Sequence, residues 1–248
     1  MYSKWRGLCG ILSLAGSLTL LGCGVNGNSY VRAVNASQGA PGFTIQAGQT
    51  GIVSGLPYGT EGVQQQGQYS GIDSSGNYRP LGAGNSQPLI AYTIPGTNLA
   101  STTQSFLKNT FYTIVSVGTS PSLGLAVLTD NGTSPASGQY SLRCLNYSDY
   151  VSVDVYITAV GANPSGTPAV GNLGFNQDPG YLPYSPGTLE LQVTPHGSTQ
   201  VLGKIPFSPA GGKLYSLFFM SPAPNTSGYI LLVVSDPISA STTMSSGG

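Results

Sequence analysis

The stretch Val31-Arg32-Ala33-Val34-Asn35-Ala36-Ser37 returns as Leu142-Arg143-Cys144-Leu145-Asn146-Tyr147-Ser148, 111 residues later. A period of that size is a whole domain rather than a solenoid unit. Other matches keep the order with smaller offsets. Phe111-Tyr112-Thr113-Ile114-Val115 parallels Leu214-Tyr215-Ser216-Leu217-Phe218, and Val127-Leu128-Thr129-Asp130 parallels Val233-Val234-Ser235-Asp236. Changing offsets are what loops of different length between two copies produce. The 248 residues therefore divide into a first unit at 30–133 and a second at 138–238, with the Gly/Ser/Pro-rich stretch Asn131–Gly138 between them.

Both units read as β-structure. Val151, Val153, Val155 and Ile157 alternate with polar residues, as do Leu189, Leu191 and Val193, the period-2 pattern of half-buried strands. Gly (36) and Pro (18) interrupt nearly every candidate helix. The expected fold class is all-β: two tandem antiparallel β-sandwich domains. Strands are expected at Tyr30–Val34, Gly42–Ala47, Leu89–Ile94, Thr110–Val117 and Leu123–Thr129. In the second unit they are expected at Ser141–Leu145, Val151–Thr158, Leu189–Thr194, Thr199–Ile205, Leu214–Met220 and Ile230–Val234.

The N-terminal 22 residues have the form of a signal peptide. Lys4 and Arg6 make a positive n-region, and Leu8 to Leu21 is apolar but too short to span a bilayer as a helix, which takes about 20 residues. The segment ends Leu20-Leu21-Gly22-Cys23, which resembles a bacterial lipobox and implies lipidation at Cys23. Residues 23–29 would then be a short tether, and the small polar residues 239–248 a flexible tail. The expected product is a lipoprotein held in the cell envelope by its lipid anchor. It faces periplasm or exterior, and in a diderm cell it sits on the outer membrane, because no Asp follows Cys23.

Charge is scarce, 6% of residues against roughly 25% in an average domain. The net charge of zero offers no basic stripe, so nucleic acid is not an expected partner. After removal of Lys4 and Arg6 only six basic residues remain, and two of them, Arg32 and Arg143, occupy equivalent strand positions. An arginine between aliphatic residues needs a planar acceptor. The equivalent aspartates Asp130 and Asp236 predict the structural ion pairs Arg32–Asp130 and Arg143–Asp236, with Asp154 as the rival partner of Arg143.

Nothing in the pattern assembles a catalytic site. His196, the one histidine, falls in a Pro-His-Gly turn, no nucleophile elbow accompanies it, and the carboxylates do not follow a Ca²⁺-loop spacing. Neither a metal nor a cofactor is expected, and the chain is expected not to be an enzyme. Cys144 is expected to be a buried apolar residue. Tyr58, Tyr69, Tyr78, Phe175, Tyr181 and Tyr184 lie in Gly/Pro/Gln-rich loops, where they can lock the loops or form recognition surfaces.

Taken together, the Arg-x-aliphatic-Asn-x-Ser opening, Val153-Asp154-Val155-Tyr156, a Tyr and Pro-Gly before an alternating strand, and a Tyr-Thr/Ser strand ending near Asp resemble the domain of unknown function 4397, in two tandem copies. Asn35 and Asn146 stand where members of that family commonly carry His, and Gly42-Phe43-Thr44-Ile45 lacks the aspartate of the second copy. The resemblance implies an immunoglobulin-like sandwich and a bacterial envelope setting, and it brings no catalytic residues. The function expected is a non-catalytic envelope interaction or structural module, with envelope proteins or glycans as partners. The alternative is a carbohydrate-binding module that uses the loop tyrosines.

Overall fold

The computed structural model describes residues 27–39, 42–63, 78–93, 97–119 and 122–238. The signal segment with Cys23, Tyr69 and the tail 239–248 lie outside the described residues. Every regular element described is a β-strand, seventeen in all, as the all-β expectation requires.

Strands up to Thr129 build two sheets. In one, β1 (Asn28–Asn35) lies between β8 (Phe111–Thr119) and the short strands β4 (Glu61–Gly62) and β5 (Arg79–Gly82), with β9 (Ser122–Thr129) beyond β8. The other has the order β3 (Thr50–Leu56), β2 (Phe43–Ala47), β6 (Gly84–Thr93), β7 (Asn98–Phe106). From Tyr140 onward the plan repeats. β13 (Leu182–Tyr184), β10 (Tyr140–Tyr147), β16 (Leu214–Met220) and β17 (Ile230–Asp236) form one sheet. β12 (Val170–Gly174), β11 (Ser152–Ala159), β14 (Leu189–Pro195) and β15 (Gly203–Phe207) form the other. The stretch Asn131–Gly138, expected as the boundary, contains no strand.

The pairing departs from a purely antiparallel plan at one place in each half. β1 runs parallel to β8, with Val31 opposite Tyr112, and β10 runs parallel to β16, with Leu142 opposite Tyr215. A parallel pair needs a crossover, and here the chain makes it by passing through the outer sheet before it returns. The short strands β4, β5 and β13 and the bulged β3 and β12 carry no clean alternation, which is why the pattern did not predict them. Val151 was expected on the buried face of its strand, but β11 begins at Ser152 and Val151 is 88% exposed.

Alternation along β1 explains how the layers stack. Val31 and Ala33 enter the first half's core with Phe43, Ile45 and Ile114, and Val34 and Ala36 point the other way. Leu142 and Cys144 likewise enter the second core, while Leu145 and Tyr147 point back. These outward residues meet one another: Val34, Val115 and Leu128 pack with Leu145, Phe218, Met220 and Val234 in a third apolar core. The two central sheets are thus covered on both faces, and β10 is buried along its whole length. Four sheets make one continuous stack, with a seam of core quality between the halves.

Candidate functional site

At the seam the alternation of β1 and β10 puts an arginine where a strand facing solvent would carry any polar residue. Arg32 (0% exposed) and Arg143 (1%) are the largest fully buried side chains described. A charge so placed costs several kcal/mol unless it is paired and hydrogen-bonded, and here the partners come from both halves.

Asp130 follows β9 and Asp236 ends β17. Arg143 Nη2 contacts Asp130 Oδ1 at 2.5 Å, and Arg32 Nη2 contacts Asp236 Oδ1. The short pairs are therefore crossed, Arg32–Asp236 and Arg143–Asp130; of the pairs expected within each half, Arg32–Asp130 is present as a longer contact and Arg143–Asp236 makes no direct one among the described residues. Arg32 does stand 3.8 Å from Asp130, but its short contact is to the other half. The link within each half runs through a hydroxyl. Arg32 Nε donates to Thr113 Oγ1 at 2.7 Å, and Thr113 donates on to Asp130 Oδ2. In the same way Arg143 Nε donates to Ser216 Oγ at 2.9 Å, and Ser216 donates to Asp236 Oδ2. Arg32, Thr113, Asp130, Arg143, Ser216 and Asp236 close a ring.

Each arginine also donates to a carbonyl across the seam, Arg32 to Ser235 O at 3.0 Å and Arg143 to Thr129 O at 3.3 Å. A tyrosine covers each guanidinium: Tyr78 over Arg32 and Tyr181 over Arg143, both 4.7 Å from ring centre to Cζ. At that distance the ring face attracts the cation. The hydroxyls of these tyrosines complete the aspartates, Tyr78 to Asp130 Oδ2 and Tyr181 to Asp236 Oδ2, each at 2.9 Å. At the rim, Glu61 and Asp178 stand 3.4 Å from Arg32 and Arg143.

Two positive and two negative side chains make the buried set neutral, so the Coulomb attraction offsets the loss of hydration. Burial alone would lower the Arg32 and Arg143 pKa values. The anionic and aromatic neighbours outweigh it, and both stay above the ordinary arginine value. Burial raises the Asp236 carboxyl, Arg32 and Arg143 pull it down, and the like charge of Asp130 pushes it up again. Each aspartate already accepts a guanidinium, a hydroxyl and a phenol, so neither is free to act as a base. The ring is a joint between the halves.

Asp154, the rival partner of Arg143, is on the far sheet of the second half. Its Oδ1 accepts from Asn172 N at 2.7 Å and lies 2.9 Å from His196 Nδ1, and its Oδ2 accepts from Gly197 N at 2.8 Å. Burial pushes the Asp154 carboxyl upward, but these donors outweigh it and hold it below the usual range. His196 is a half-exposed turn residue that secures this hairpin. Cys144 is buried and free, and burial pushes its thiol up to about 12.

The loop aromatics do not gather in one patch. Tyr78 is buried and Tyr181 is held over Arg143, so both belong to the ring. Tyr184 donates to Ala169 O at 3.1 Å and packs on Tyr140. Tyr58 crosses the seam to Ser221 O at 2.8 Å. Phe175, 47% exposed, lines a small recess at one end of the seam with Tyr147 and Asp149. The tyrosine half of the joint could have been suspected from Tyr78 and Tyr181, each preceding a short strand, but only folding puts them above the arginines. Asn35 and Asn146 fold their own turns: each Oδ1 accepts the amide two residues on, and each Nδ2 reaches a carbonyl, Leu56 and Leu173.

With this geometry in view, residues 29–156 match the domain of unknown function (DUF4397). The chain belongs to that family. The matched span contains Arg32, Asp130 and Arg143 and runs on through β10 into β11, so the region that defines the family crosses the seam. No curated protein matches the chain.

Proposed function

We propose that the chain is a non-catalytic, lipid-anchored protein of the cell envelope, built from two tandem copies of the DUF4397 domain and working as a rigid interaction module. The observation that carries this reading is the ring. Four of the few charged side chains are spent inside the molecule, on holding two sandwiches in one orientation. A scaffold that presents two outer sheets and their loops at a fixed geometry is what such a joint provides. The anchor rests on the charged n-region, the short apolar run and the Gly22-Cys23 junction. The expected tether 23–29 is shorter still, because Asn28 and Ser29 belong to β1 and Ser29 is buried, so no long stalk separates Cys23 from the fold and the stack would sit close to the membrane surface. A carbohydrate-binding role for the loop tyrosines has less support, because Tyr78 and Tyr181 are engaged by the arginines and aspartates.

Mass spectrometry of the protein from membranes tests the anchor: Cys23 as the first residue, carrying a diacylglycerol adduct, is expected. A chain that keeps residues 1–22, or an unmodified Cys23, contradicts it. Crosslinking with the form starting after Cys23 tests the interaction role. Reproducible envelope protein or glycan partners are expected, and recovery of the uncrosslinked protein alone counts against the role.

A further inference from the structure

Four central strands run the same way. β1 is parallel to β8 and β10 is parallel to β16. Their C-terminal ends meet across the seam, where Ala36, Gly118, Tyr147 and Ser221 line one recess and Gln38 Nε2 donates to Pro222 O at 2.8 Å. Their N-terminal ends therefore share the opposite end of the stack, where Gly132, just past β9, lies against Leu214 at the start of β16. The chain enters the fold at that end. Gly27 O accepts from Ala83 N at 3.0 Å, Asn28 O accepts from Asn109 N at 2.8 Å, and the Lys108 stem lies directly against Gly27. Only residues 24–26 separate Gly27 from Cys23, a stretch that spans at most about 14 Å.

Charge is uneven along the stack. Of the six basic side chains after Cys23, Arg32 and Arg143 are in the ring, Lys204 pairs with Glu190 at 3.3 Å, and Arg79 donates to Gly51 O. The other two, Lys108 and Lys213, lie in the loops that lead into β8 and β16, at the end where the chain enters. Both are exposed, and among the described residues neither meets a carboxylate. Beside Lys108, Leu107 is 63% exposed. The far end exposes apolar side chains as well, Val151 and Phe175, but there they accompany the exposed carboxylate of Asp149. It also stands about 25 Å away, the length of an eight-residue strand such as β10.

We propose that this end of the molecule docks on an anionic bilayer surface, with Lys108 and Lys213 at lipid phosphates and Leu107 in the interface. Such docking rests on the lipid anchor at Cys23, which brings the end face to the headgroups; the face then decides how the molecule stands there. Each lysine held near an anionic surface strengthens the contact about fivefold. Lysine stems lie along an interface while their ammonium groups stay in water, and an exposed leucine adds apolar area to the contact. The opposite end is out of the tether's reach, and Asp149 would be repelled by the same headgroups. Docked in this way, the strands lead away from the membrane and the loop with Asp149 and Val151 faces outward.

The test couples residues 23–248 through Cys23 to a maleimide headgroup lipid in bilayer nanodiscs, and reads the NMR broadening of backbone amides by a gadolinium-bearing lipid. Cys144 is buried and does not compete for the maleimide. The coupling replaces cellular lipidation, so a native chain without the diacylglycerol adduct would overturn the anchor and leave this measurement standing. In discs of mixed phosphatidylcholine and phosphatidylglycerol, broadening is expected at Leu107, Lys108 and Lys213 and not at Asp149 or Val151. Lys108→Gln and Lys213→Gln, at exposed positions, should each lower the ratio of docked to undocked protein about fivefold. Leu107→Ser should lower it about threefold. Equal broadening at both ends overturns the proposal. So does a preference that survives both glutamine substitutions and pure phosphatidylcholine, since the tether alone would then set the orientation.

Discussion

The two halves of the molecule share a plan and differ in where they keep polar groups. On the seam side they are reciprocal: each supplies an arginine, a hydroxyl, an aspartate and a covering tyrosine, and each arginine is completed by the other half's aspartate. On the outer side the likeness ends. The second half carries Asp154 with His196, and Glu190 with Gln192 and Lys204, whereas the outer face of β2 and β6 in the first half carries Thr44, Gln46, Ile90 and Tyr92. The shared face is constrained by the need to neutralise buried charge, and the unshared face is free to diverge. Equivalent residues therefore mark the joint, and differing ones mark where the halves can do different things.

If the ring is reciprocal, breaking it from either side should cost the same. Arg32→Ala and Arg143→Ala each leave a buried carboxylate without its cation, and each is expected to destabilise the protein by about 3–5 kcal/mol in denaturant unfolding. Both halves should melt in one transition, and two separated transitions with only the mutated half affected would break the comparison. Tyr78→Phe and Tyr181→Phe remove one donor from each aspartate and should each cost about 1–3 kcal/mol. A difference larger than that range would show that the two tyrosines are not equivalent.

Smaller effects sharpen the contrast between the outer faces. Asp154 is held below the usual carboxylate range, so it is charged in the folded state at pH values where the unfolded chain begins to take up a proton. Its contribution is present above about pH 4 and is lost as pH falls through its lowered folded value. Asp154→Asn should therefore reduce stability at neutral pH and make little difference in strong acid, by unfolding at a series of pH values. The smallest effect is expected at Cys144, whose counterpart in the first half is Ala33. Cys144→Ala should cost about 1 kcal/mol or less. In the native protein the thiol, pushed up to about 12, should resist iodoacetamide at pH 8 until denaturant is added.

Much of this was legible in the sequence, residue by residue. The doubled Val31–Ser37 motif marked β1 and β10, and the drifting offsets correctly paired β8 with β16 and β9 with β17. Scarcity of charge singled out Arg32, Arg143, Asp130 and Asp236 as belonging together. Their partnership was not legible, because a strand pattern shows that a side chain leaves its own core but not what lies across the face it enters. Val34, Ala36, Leu145 and Tyr147 read as ordinary strand residues, yet they build the third core that makes the crossing possible. For the same reason Tyr78 and Tyr181 read only as residues that lock loops or form recognition surfaces, and not as covers of the arginines.

The central claim, that the halves are joined by crossed ion pairs, is tested most directly by double-mutant cycles on Arg143. One cycle combines Arg143→Ala with Asp130→Ala, and the other combines it with Asp236→Ala, with unfolding free energies measured for all variants. The crossed arrangement predicts a coupling of about 2–3 kcal/mol for Arg143 with Asp130 and less than half of that for Arg143 with Asp236, which meet only indirectly, through Ser216 and Tyr181. A larger coupling to Asp236 would return each arginine to its own half and contradict the account.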